Sequence, residues 1–415
     1  MNLPRFKRLA LSVLLIFAFL CVGCAAGDGD SSDDNVGSDG GGNVDTGGGD
    51  TASNPQDSSS SFSGAKDLDA FITSTMQTGH IPGLAISIVK GDEVLYSKGY
   101  GLADIASSTP VSTDTVFLLA SASKAVTAVG VMQLVEIGGL KLDDDISSAL
   151  TFSVRNPNFP DVPITVRQLL AHVSGVQDDV DLLDSLSVDG DSPIPLADFV
   201  RGYFLPGGVY YNAAHNWLTR APGTKYQFTD SAFALAGYIA ESVSSRSFAD
   251  YARQAIFRPL GMSNTSFTLS GLNGTAKLAT PYHFNGQSFV ALNQYGFPDY
   301  PDGLVRTSAR DLSRFLIALI NGGSFQSSKI LSGSSVSEIE RIQFPLINRS
   351  QGIGMYYKSF GTTQLFGHGG EHRGASAEMF YVPSSNVGVL LLANVDGVGD
   401  SLLGIEQRML QLAGS

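Results

Sequence analysis

Apolar and polar positions divide this chain into three unlike stretches. Behind the basic residues Arg5, Lys7 and Arg8, a nearly unbroken apolar run fills positions 9–22, and then residues 25–63 are almost entirely Gly, Asp, Ser, Asn and Thr. Such a stretch cannot bury enough apolar surface to offset the entropy of ordering, and it reads as a flexible, self-repelling tether. From residue 64 onward the pattern is that of a globular body. Helical spacing predicts a helix over 66–78. The apolar runs 84–89 and 93–100, joined across Gly91-Asp92, predict a β-hairpin. A hairpin alone is marginal, so it needs further strands. These are supplied far away, by 364–368, 377–382 and 388–393, with a turn at 383–386, and residues 401–412 have the spacing of a helix that covers one sheet face. Between Ser121 and about Leu346 most segments read as helix or loop. One of them opens with Ser308 and Asp311 as a capping pair before Leu312, Phe315, Leu316 and Leu319. The expected fold class is α/β: an antiparallel sheet built from both chain ends and flanked by helices, with a large, mainly helical insertion. No internal repeat is evident.

Composition narrows the function. With 415 residues and 43% hydrophobic content the chain can fill a sizeable core. The formal net charge is −13, and the body stays acidic once the basic start and the eight Asp of residues 9–65 are set aside. With no basic stripe, nucleic acid is not an expected partner. Both cysteines, Cys21 and Cys24, precede the body, which therefore has neither a disulfide framework nor thiolate metal ligands. Residues 1–24 read as an export signal. Val22-Gly23-Cys24 resembles a bacterial lipobox, although Cys21 occupies the place where Leu is usual. The resemblance implies lipidation of Cys24, a membrane anchor, and a body at 64–415 held in the periplasm or outside the cell. The alternatives are an ordinary cleaved signal or an uncleaved anchor.

Candidate chemistry rests on Ser-x-x-Lys. Residues three apart on a helix share a face, so a lysine amine can take or relay the serine proton. Three copies occur, at Ser63 and Lys66, Ser87 and Lys90, and Ser121 and Lys124. The first ends the tether, and the second lies in a predicted strand, where positions three apart point to opposite faces. Ser121 instead precedes a nearly all-apolar segment, 125–135, which implies a helix buried on most sides. Its place near the helix start favours developing negative charge, and an apolar setting makes Lys124 a better base. The plainer alternative is a helix cap beside a solvated lysine. No Gly-x-Ser-x-Gly elbow or His-Glu-x-x-His zinc helix is present, and the six histidines are scattered. Neither a metal nor a cofactor is expected.

From about residue 66 to 412 the sequence resembles the serine β-lactamases of class C, the D-Ala-D-Ala carboxypeptidases and related esterases. Leu119-Ala-Ser-Ala-Ser-Lys-Ala-Val-Thr-Ala128 matches that family's nucleophile helix. Ile164-Thr-Val-Arg-Gln-Leu-Leu-Ala-His-Val-Ser-Gly175, Ile256-Phe-Arg-Pro-Leu-Gly-Met262 and Asp302-Gly-Leu-Val-Arg-Thr-Ser-Ala-Arg-Asp311 also fit it. The resemblance implies an acyl-transfer hydrolase acting on a small-molecule or peptide substrate, with Ser121 as nucleophile, Lys124 as its partner and His172 structural. The family's second motif, Tyr-x-Asn, falls on Phe228, Thr229 and Asp230, and phenylalanine has no hydroxyl to move a proton. Lys124 then acts alone with Asp230 paired to it, or Tyr226, Thr229 or a histidine supplies the relay, or the body keeps the fold as an impaired binding module for cell-wall fragments. The third motif matches His368-Gly369-Gly370. By resemblance, the backbone N–H groups of Ser121 and Glu371 form the oxyanion hole, and His368, if protonated, steers a carboxylate or polarises the site.

Overall fold

The computed structural model describes residues 62–414. The export signal, Cys24 and nearly all of the tether lie outside the described residues. Among those described, no helix is long and apolar enough to cross a membrane.

The sheet does come from both ends of the body. Its strands are β1 (Gly83–Lys90), β2 (Glu93–Asp104), β3 (Thr109–Pro110), β4 (Tyr356–Phe360), β5 (Thr363–His372), β6 (Ala375–Val382) and β7 (Val387–Ala393), in the spatial order β4-β5-β6-β7-β1-β2-β3. All neighbours are antiparallel. The pairing of β1 with β7, with Ile86 opposite Leu391, closes a gap of some three hundred positions in sequence. Strand β5 runs on to His372, four residues beyond the expected strand 364–368, so this histidine belongs to the same strand as His368.

Alternation along the central strands gives each sheet face its own core. On β1 and β7, Leu84, Ile86, Ile88, Val389 and Leu391 face one side. There they meet Leu68 and Ile72 of α1 (Ala65–Thr78) and Leu402, Ile405 and Met409 of α5 (Gly399–Ala413). Ala85, Val89, Leu390 and Leu392 face the other side, which holds the inserted helices α2 (Ser123–Glu136), α3 (Ser231–Ser244) and α4 (Ala309–Ile320). Both faces are covered, which is why the strands read as near-continuous apolar runs. Ser87, the one polar side chain inside β1, is buried with its Oγ 2.6 Å from that of Ser97 on β2. Helix α4 starts as its sequence predicts, with the Ser308 Oγ accepting the Asp311 N–H at 3.2 Å.

Helix α2 is buried around most of its circumference, from Ser123 through Met132 and again at Leu134. Its entry is set by two clamps. The strand Val116–Leu118 pairs with Arg306–Ser308 just before it, and the Ser123 Oγ accepts the Val305 N–H at 3.0 Å.

Leu391 is fully buried between β7 and the terminal helices. Its replacement by Ala is expected to lower stability by about 2–5 kcal/mol, read by chemical denaturation. A loss below about 1 kcal/mol would contradict a tightly packed second core.

Candidate active site

Ser121 lies in the single 3-10 turn Ala120–Ala122 that leads into α2. The preceding residue, Ala120, is buried with φ at 48°, a left-handed conformation that a non-glycine residue adopts only when its surroundings force it. Here the force is visible on both sides: the Leu119 N–H is held by the Val305 carbonyl at 2.8 Å, and Gly370 of β5 presses on the turn. A Cβ at Gly370 would stand 2.3 Å from the Leu119 carbonyl oxygen and 3.0 Å from the Ser121 nitrogen. Glycine is required at this contact because backbone meets backbone.

One turn on from Ser121, at the second position of α2, the Lys124 side chain is fully buried. Its Nζ donates to the Ser121 Oγ at 3.2 Å, to Asp230 Oδ1 at 2.7 Å and to the Asp302 carbonyl oxygen at 3.0 Å. An ammonium has three protons, and three acceptors surround it. The Asp302 carboxylate adds a longer contact at 3.8 Å. The Phe228 ring lies with its centroid 4.9 Å from Nζ, so an aromatic face stands where the resemblance would put a hydroxyl. Asp230 pairs with Lys124, as in the first of the alternatives, whereas the groups considered as substitute relays are placed otherwise. Tyr226 turns its hydroxyl to Gln351 Oε1 at 3.3 Å, and burial pushes it up to about 12. The Thr229 hydroxyl is buried without a hydrogen-bond partner among the described residues.

The head of α3, which carries the second motif, is held in an unusual way. Three successive backbone N–H groups, at Thr229, Asp230 and Ser231, are taken by His172 Nδ1 at 3.2 Å, Asp178 Oδ2 at 2.7 Å and Asp178 Oδ1 at 3.0 Å. The first N–H groups of a helix have no partners inside it, and here side chains from one segment supply them. His172 is buried and stacks on Phe228 at 4.5 Å. Burial, then the charge of Lys124, holds its ring well below the usual histidine range, so it is neutral and accepts.

Strand β5 borders the serine turn. Alternation puts Gly370 on the face toward Ser121, along with His368 and His372, while Glu371 turns to the opposite face and accepts the Gly397 N–H at 3.1 Å. The role considered for His368 depends on its being protonated, and its surroundings disfavour that form. Its ring is buried, and desolvation first and Lys124 second lower it to about 3. Its Nδ1 lies 2.5 Å from the Gly369 carbonyl oxygen, an obligate acceptor, which assigns the ring proton to Nδ1. A neutral His368 carries no charge for a substrate carboxylate. Further along, the Tyr295 hydroxyl is shared between His372 Nδ1 at 2.5 Å and the Arg373 carbonyl oxygen at 2.8 Å.

The structure thus brings Ser121, Lys124, Phe228, Asp230, His368 and Gly370 to one place. Sequence reasoning missed the roles of Asp302 and Asp178. Both lie in or beside segments already singled out, after Ser174-Gly175 and at the start of Asp302-Gly-Leu-Val, but nothing local tells a buried aspartate from a solvated one.

Comparison with known proteins identifies the family and the fold. The sequence profile described as Beta-lactamase matches residues 68–413. The chain belongs to the beta-lactamase family. Among relatives of this family, the protein flp of Staphylococcus aureus is 27% identical over 79% of this chain and 62% of its own length. The chain therefore spans less than two thirds of that relative. An octameric penicillin-binding protein homologue from Pyrococcus abyssi superposes with a TM-score of 0.68 at 25% identity, over 84% of this chain and 77% of the other. The D-amino acid amidase of Ochrobactrum anthropi shares the fold, with a TM-score of 0.65 at 21% identity over 84% of this chain and 99% of its own.

Substituting Gly370→Ala is expected to displace the serine turn. Labelling of Ser121 by a fluorophosphonate should slow by about 100-fold, the scale of a misplacement near 1 Å. Unaltered labelling would contradict the close packing of β5 on the turn.

Proposed function

We propose that this protein is a serine hydrolase that cleaves an ester or amide through an acyl-enzyme. The observation that carries the reading is the Nζ of the fully buried Lys124 lying 3.2 Å from the Ser121 Oγ in a turn bordered by Gly370. In the proposed sequence, the Ser121 Oγ attacks the substrate carbonyl and its proton passes to the Lys124 nitrogen. Because that nitrogen starts fully hydrogen-bonded as an ammonium, it hands one proton on to the Asp230 carboxylate, 2.7 Å away. Asp230 then fills the place of the absent tyrosine hydroxyl as proton acceptor. The oxyanion is received by the backbone N–H groups of Ser121 and Glu371. The leaving group takes a proton back from the lysine, and water releases the acyl group. No cofactor takes part in these steps.

The substrate is a small molecule or peptide. A neutral His368 offers no charge to a substrate carboxylate, and this favours an ester or a peptide-like amide over a β-lactam. An amidase and a penicillin-binding protein homologue among the fold neighbours are consistent with such a range. We further propose that the body is exported and tethered through a lipid on Cys24; an unmodified Cys24 by mass spectrometry of the mature N-terminus would remove the anchor.

A second reading has specific support. Phe228 and a Lys124 whose three protons are already accepted describe equally well a cleft that binds cell-wall fragments without turning them over.

Turnover of a panel of esters, D-Ala-D-Ala peptides and β-lactams separates the two. On the hydrolase reading, at least one ester is hydrolysed, and Ser121→Ala and Lys124→Ala each lower kcat by about 10³-fold or more. Phe228→Tyr, which returns a hydroxyl beside Lys124, is expected to raise kcat by roughly tenfold or more. If the intact protein is inert to the whole panel and Phe228→Tyr switches activity on, the binding reading holds.

A further inference from the structure

The segment between His172 and Asp178 has a place in the site that the motifs do not assign. The Asp178 carboxylate accepts three hydrogens: the Asp230 N–H at 2.7 Å, the Ser231 N–H at 3.0 Å and the Ser231 hydroxyl at 2.5 Å. It thus grips the backbone of the residue whose own carboxylate holds Lys124 at 2.7 Å. We propose that Asp178 is a positioning residue for the reaction, acting through Asp230 to keep the Lys124 amine aimed at Ser121, and that it does so only as a carboxylate. The inference rests on the hydrolase reading.

The geometry explains the requirement for charge. Oδ1 is filled by the two Ser231 donors and Oδ2 by the Asp230 N–H, so a carboxylate meets donors at both oxygens. Adding a proton brings a fourth hydrogen into a shell that already contains three donors. Either the new O–H or one of the existing donors then loses its partner. Loss of the Asp230 N–H contact would free the residue to rotate and would turn its carboxylate away from Lys124.

The groups facing Asp178 set where this happens. From the head of α3 come Asp230 and Ser231; from the helix Leu196–Phe204 comes Tyr203, whose hydroxyl accepts the Asp179 N–H and donates to the Gln177 carbonyl, both at 2.8 Å. Asp179 itself turns away to His215 at 3.0 Å. Lys124 lies on the far side of Asp230. Burial first, and the negative charge of Asp230 second, raise Asp178 to about 6 against the opposing pull of its three donors. The group therefore gains its proton as pH falls through about 6, and the positioning is lost below that point.

The test is the pH dependence of kcat and KM for hydrolysis of a neutral nitrophenyl ester by the full chain and two variants. In the wild type, kcat should decline on the acid side near pH 6. Asp178→Asn replaces an acceptor by an amide N–H, and it should lower kcat by about 10- to 100-fold with KM little changed and shift or abolish that acid limb. Ser231→Ala keeps the helix but removes one donor, so the limb should move to higher pH. A loss of kcat with the acid limb in place in both variants would show Asp178 to be a helix cap alone and overturn the proposal. So would wild-type kcat in Asp178→Asn. If Asp178→Asn fails to fold, the direction of the limb in Ser231→Ala decides. A wild type that neither turns over esters nor labels at Ser121 removes the hydrolase reading itself, an outcome distinct from an active enzyme indifferent to these substitutions.

Discussion

A fully buried lysine ammonium is the constraint around which this molecule is organised. Taking such a charge out of water costs several kcal/mol, and breaking a buried pair by removing one partner costs about 3–5 kcal/mol. Lys124 meets that cost with three acceptors, one local and two from distant parts of the chain: Ser121 one turn away, Asp230 more than a hundred residues on and the Asp302 carbonyl 178 residues on. Each must be delivered by a separate piece of the fold. Thus α2 brings the lysine, the head of α3 brings Asp230, the loop ahead of Arg306–Ser308 brings Asp302, and β5 closes the serine turn from the sheet side.

This dependence also explains the polar groups that look expensive. His172 and Asp178 are spent on the backbone of the second motif, and burial is the first cause of both shifts, followed by the charge of Lys124 for His172 and that of Asp230 for Asp178. His368 is neutral for the same reason. On the proposed mechanism the acid and base work concentrates in Ser121, Lys124 and Asp230, and the surrounding polar side chains hold geometry.

Much of the architecture was legible in the sequence because sheet and helix periodicities are local signals. The apolar runs of β1 and β7, the Gly91-Asp92 turn and the spacing of α1 and α5 predicted a sheet assembled from both ends, and Ser308 with Asp311 predicted the start of α4. Ser121 with Lys124 was separable from its two decoys by element type alone. Other parts could not be read this way. That β5 reaches His372 depends on pairing with β6, and Asp178 looks no different in sequence from Asp179, Asp181 or Asp184 beside it. Charge at His368 is a property of its burial, which a strand pattern alone does not fix. The family resemblance located the second motif, but only the structure assigns Asp230 to Lys124 and turns Tyr226 away from it.

The central claim is that Ser121 becomes covalently acylated with Lys124 as its partner. The most direct measurement mixes the intact protein with an activated ester, quenches within the first turnover and maps the adduct by peptide mass spectrometry. The account predicts an added acyl mass on the peptide containing Ser121, appearing before product accumulates in the steady state and decaying as water releases it. Ester turnover with no acyl adduct, or with the adduct on another residue, would contradict it.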